Sequence, residues 1–121
     1  VARPDHARRV KSYSAATGYV YQYYFLETQK SRRGLHGGTD YVYMVAVDRG
    51  AAFPLRVFVR RDAVRQLGKK TGREITGTEE YAAAKMRLFQ AFDEVENLSA
   101  ARPDLIVDGE NLAALLAQLD L

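Results

Sequence analysis

Residues Gly18 to Arg61, GYVYQYYFLETQKSRRGLHGGTDYVYMVAVDRGAAFPLRVFVRR, decide how the chain is read. Six of the eight tyrosines fall between Tyr19 and Tyr43, interleaved with valine, phenylalanine and methionine. Aromatic and β-branched residues in alternation suit a pleated, covered surface better than a helix, so three strands are predicted here. In the first, Tyr19, Tyr21, Tyr23 and Phe25 share one face and Val20, Gln22, Tyr24 and Leu26 the other, because successive side chains of a strand point to opposite sides. Both faces are mostly apolar, which predicts cover on both. The second strand, Asp40 to Asp48, sets Tyr41, Tyr43, Val45 and Val47 against Val42, Met44 and Ala46, and reads as the central one. After a turn at Arg49, Gly50 and Pro54, the third places Leu55, Val57 and Val59 opposite Arg56, Phe58 and Arg60. That is the pattern of an edge, or of a strand with one wet face.

Outward from this stretch, Val1 to Lys11 is polar, basic and interrupted by Pro4, which predicts a loosely held arm, and Ser12 to Thr17 extends the first strand backward. Gln29 to Thr39, rich in glycine and arginine, reads as a long projecting loop. Asp62 is placed to cap a short helix carrying Val64 and Leu67 and closed by Gly68. Thr76 and Glu79 have the spacing of a capping box, and Tyr81, Ala84, Leu88, Phe92 and Val95 recur every three or four residues behind it. Phe89 widens this stripe, while Asp93, Glu94 and Glu96 fall on the wet side. Leu105 to Val107 can add a fourth strand, and Asp108 opens a last helix with Leu112, Leu115, Leu116 and Leu119. The expected fold is α+β: one domain, an antiparallel meander of three to four strands, packed by one long helix and a C-terminal helix.

With 121 residues, 47% of them hydrophobic, the chain is long enough to hold one core without staples. It has no cysteine, which excludes disulfides, thiolate zinc sites and cysteine nucleophiles and points toward a reducing compartment. No apolar run of membrane-spanning length is present, and the first residues carry charges where a signal peptide needs an apolar core, so a cytoplasmic location without membrane contact is expected. The missing initiator methionine suggests that a short leader precedes Val1. Charge is unevenly spread: residues 1 to 73 hold fifteen Lys or Arg against five Asp or Glu, and residues 74 to 121 hold three against ten. Such segregation fits a polyanionic partner for the basic half, or two halves that attract one another.

Chemical signatures are sparse. His36, in RRGLHGGTD, would be presented on a glycine-rich loop as a base or anion ligand, with no carboxylate or nucleophile at a telling spacing. Gly34, Gly37 and Gly38 precede a strand, whereas phosphate loops deliver their ligand to a helix N-terminus. His6 and His36 lie thirty residues apart without cysteine, so neither a metal nor another cofactor is implied.

Two surfaces follow from the strands. Tyr19, Tyr21, Tyr23, Tyr41 and Tyr43 form an apolar sheet face suited to a second copy of the chain, since tyrosine is enriched where protein surfaces meet and a two-fold axis buries one patch twice. Arg56, Phe58 and Arg60 instead combine cations with an aromatic platform, and with Arg32 and Arg33 they make a candidate single-stranded nucleic-acid surface that Lys69 and Lys70 could extend. The expected role is a non-enzymatic binding or assembly module, a homodimer through the tyrosine face. The alternatives are a single-stranded nucleic-acid binder and a small enzyme with a site near the glycine-rich loop.

Overall fold

A computed structural model describes residues 9–118 and shows one α+β domain built on a single sheet. In chain order the elements are β1 (Lys11–Ser14), β2 (Val20–Arg33), β3 (His36–Val47), β4 (Phe53–Arg60), α1 (Arg61–Thr71), α2 (Gly77–Glu94), α3 (Leu98–Ala101), β5 (Leu105–Val107) and α4 (Leu112–Ala117). The strand order is β1-β2-β3-β4-β5, which makes β3 central, as its two apolar faces predict. The first four strands form the expected antiparallel meander, but β5 joins β4 in parallel and the sheet has five strands rather than three or four. Three helices separate β4 from β5, and a crossover of that kind returns the chain in the direction in which it left. β4 is therefore an interior strand rather than an edge.

Strand pairing continues much further than the composition of residues 29 to 39 suggests. The ladder between β2 and β3 runs out to Arg33 and His36, leaving only Gly34 and Leu35 as a two-residue turn in place of a projecting loop. Gly34 sits at φ 60°, a conformation that favours glycine at the first central position of a hairpin turn. Cross-strand hydrogen bonds thus outweigh the loop-like composition. Lys11 already belongs to β1, a separate strand on β2, and residues 1–8 of the expected arm lie outside the described residues.

The core lies between the sheet and the helices. Tyr21, Tyr23, Tyr41, Tyr43 and Val45 face α2 together with Leu55, Val57, Val59, Leu105 and Val107, and all of these are buried. From α2 the stripe supplies Ala84, Leu88 and Phe92, with Tyr81, Phe89 and Val95 packed at its margin. The Phe92 ring stacks on Tyr21 with centroids 4.3 Å apart. Thr76 and Glu79 close the predicted capping box, each side chain bonded to the other residue's backbone N–H. Asp93, expected on the wet side, instead accepts hydrogen bonds from the Tyr13 hydroxyl at 2.7 Å and the Ala16 amide at 2.9 Å, pinning β1 to α2. Among the described residues no helix is long and apolar enough to cross a membrane.

Candidate anion-binding groove

On the sheet face away from α2, the predicted cationic platform is neutralised from within. Asp40 is buried there and bridges two arginines, with its carboxylate 3.0 Å from Arg33 and 3.5 Å from Arg56. Arg33 also pairs with Asp104 at 3.3 Å, and Arg56 donates to Gln29 at 2.7 Å. Arg60 turns away to Asp62, its Nε 2.9 Å from Oδ1, and this guanidinium holds the Asp62 carboxyl below its usual range. Phe58 offers no stacking platform because it is wholly buried: its ring lies against Gly38, and the Arg33 guanidinium covers it with 4.6 Å to the centroid. A side chain at Gly38 would collide with that ring and with the Val59 carbonyl. Arg32 is exposed at the hairpin end and has no ion pair among the described residues.

The tyrosine surface is likewise consumed by the fold. Tyr21 and Tyr43 are fully enclosed, and Tyr23 and Tyr41 are 6% exposed, so these four are core within a single chain. Only Tyr19 of the five stays at the surface. Beneath α2 the Tyr41 hydroxyl donates to Glu80 at 3.1 Å; burial and then Glu80 push its pKa up, while burial raises that of Glu80. Glu80 is half-buried beside Tyr41, near the start of α2. His36 lies with Nδ1 3.9 Å from Asp62, beyond hydrogen-bond reach, and that carboxylate is already held by Arg60. Among the described residues no cluster of three or more His, Cys, Asp or Glu could hold a metal ion.

A larger open concavity lies elsewhere, along α1. Its helix continues through Gly68, the expected stop, and ends at Gly72, whose φ of 74° reverses the chain. Gly68 serves packing instead, since a Cβ there would come within 3.0 Å of the Arg73 carbonyl, and its missing side chain admits the returning segment close to the helix. Between α1 and residues 72–75 runs a groove of about 620 Å³, floored by Val64, Gly68 and the buried Ile75. Its rim carries Arg61, Arg65, Lys69 and Arg73, with Glu74 the lone acid among the lining residues.

Arg61, Arg65 and Lys69 recur every four residues and so stand on one face of α1. All three are exposed and have no ion pair among the described residues. Arg73 differs, being bound to Glu79 through two contacts of 2.8 Å. A smaller cavity of about 150 Å³, lined by Leu35, His36 and Gly37 of the hairpin and by Asp62, whose carboxylate Arg60 already holds, shares Arg61 and Arg65 with the groove and joins the two into one surface. Lys69 and Lys70 stand out in the sequence as adjacent cations, whereas Arg61, Arg65 and Arg73 are spaced apart from one another. The four-residue recurrence in RDAVRQLGK was the available signal, hidden by ending the helix at Gly68. Comparison with protein-family models, curated proteins and solved structures finds no match.

Proposed function

We propose that this protein is a non-enzymatic binding module for a polyanion, held in the groove along α1. One observation carries the proposal: three adjacent cations, Arg61, Arg65 and Lys69, line an open groove without acidic partners among the described residues, while the arginines of the sheet face are neutralised by Asp40, Asp104 and Asp62. Unpaired cations on one rigid edge attract phosphates or sulfates through counterion release, a contribution that depends on salt and not on sequence. The basic half of the chain thereby finds an outlet at α1 rather than on the strands.

The test is a fluorescence-anisotropy titration of labelled heparin and of labelled oligonucleotides at about 50 and 200 mM salt. Three phosphate contacts give a salt slope of about −2.7, a loss of roughly 40-fold between these conditions. The variant Arg61→Ala/Arg65→Ala/Lys69→Ala is expected to lose most of the binding and most of the slope, and Arg56→Ala neither. Absence of binding by every probe at low salt, or binding indifferent to the triple variant, refutes the proposal.

A further inference from the structure

Resting on the groove just described, we infer that its ligand is a double-stranded nucleic acid, gripped by its phosphates along α1 and entered by the tip of the β2–β3 hairpin. The first observation is the character of the lining. None of the eight tyrosines or five phenylalanines lines the groove or the adjoining cavity among the described residues. Single-strand binders pair a cationic track with aromatic platforms on which unstacked bases rest, and here the platform is missing. In a duplex the bases stack on one another and require none.

The second observation is the shape of the cationic row. Arg61, Arg65 and Lys69 stand on one helix face with steps of about 6 Å along the axis, so the row rises about 12 Å while winding gently, by about 40° per step, around α1. A fixed row of charges matches the regular backbone of a duplex better than a chain that must first be ordered.

The third observation is the hairpin tip. Leu35 is 89% exposed, the most exposed large apolar side chain among the described residues, and Arg32 and His36 flank it at the surface. Pairing between β3 and β4 stops at Gly38, while β2 and β3 pair on to Arg33 and His36, so the last two residue pairs and the turn project beyond the sheet as a short two-stranded tip, a form that the major groove admits. An exposed leucine beside an arginine is also the combination that minor-groove binders use as a wedge and anchor. Through Arg61 and Arg65 the tip adjoins the cationic row, so one ligand can touch both.

Duplex DNA and duplex RNA share this chemistry, and the experiment distinguishes them. Short labelled DNA and RNA duplexes, their separate strands and heparin are titrated into the full chain. One duplex is expected to bind about tenfold or more tighter than its own strands. Arg32→Ala/Leu35→Ala, both exposed positions, is expected to weaken that duplex about fivefold or more, several times more than it weakens heparin, and to leave the circular dichroism spectrum unchanged. Strands or heparin binding as tightly as either duplex, or a duplex affinity within about twofold of wild type in the tip variant, overturns the inference. Heparin binding that still depends on Arg61, Arg65 and Lys69 would then leave the polyanion groove standing; loss of all binding would remove both.

Discussion

Replacing Phe58 by alanine separates a structural ring from a surface one. Phe58 is wholly enclosed although it lies outside the core cluster, on the face turned away from α2. Its enclosure has three sides: the sheet beneath, Gly38 beside it and the Arg33 guanidinium above. Truncating a buried phenylalanine costs about 3–5 kcal/mol through lost transfer energy and the void left behind. The contact with Arg33 adds about 0.5–1 kcal/mol. Gly38 brings no side chain to fill the space, but Arg33 is long enough to settle into it, which places the expected loss near 3–4 kcal/mol. With a urea m-value of about 1.5–2 kcal/mol/M, the unfolding midpoint falls by about 2 M, followed by far-UV circular dichroism. Phe58→Leu, which keeps most of the volume, is expected to cost less than about 1.5 kcal/mol and to bind polyanions as the wild type does. A loss below about 1 kcal/mol for Phe58→Ala at unchanged m-value would show that the ring is not enclosed, and would return the sheet face to consideration as a stacking surface.

Three further outcomes test the packing and the ionisable contacts. Phe92→Ala, which removes the ring stacked on Tyr21, is expected to lower stability by about 3–5 kcal/mol in the same urea assay; below about 1 kcal/mol the orientation assigned to α2 is wrong. Arg73, followed by the Thr76 amide, holds the Glu79 carboxylate down at about 2 from an ordinary 4.5, so the support it gives the start of α2 is complete above pH 4.5 and disappears as pH falls toward 2. Amide exchange at the first turn of α2 should quicken across that window, and Glu79→Gln should flatten the dependence. The hydrogen bond to Asp93, then burial, pushes Tyr13 up to about 12 from 10.0; its contribution is intact below pH 10 and lost as pH rises through 12. Tyr13→Phe should therefore make the alkaline decline of the melting temperature shallower, and an unchanged decline would mean that the contact with Asp93 does not persist in solution.

Much of the fold was legible in the residues. Alternation marked three strands and the central place of Asp40 to Asp48, and the Thr76 and Glu79 pair with the stripe behind it located α2. The errors share a cause. Gly34, Gly37 and Gly38 look like a loop because glycine is locally permissive, yet Gly38 is there so that the Phe58 ring can lie against it. Gly68 looks like a helix stop, yet it sits within α1 because the chain returns against that position. In each case composition reports conformational freedom, whereas the glycine answers to an atom distant in sequence. The candidate site was missed by the same route: ending the helix early broke the row from Arg61 to Lys69 in two.

Local pattern alone therefore determined the α+β class, the meander, the capped helix and its buried stripe, because side-chain alternation, capping and helical spacing depend on neighbours a few residues away. Tertiary structure alone decided which charges are free. Arginines at 33, 56, 61 and 65 are alike in the sequence, but the first two lie within reach of Asp40, brought there by strand register, and the other two face open water along α1. Pairing is a matter of distances of about 3–4 Å between groups far apart along the chain, and only the folded arrangement sets them.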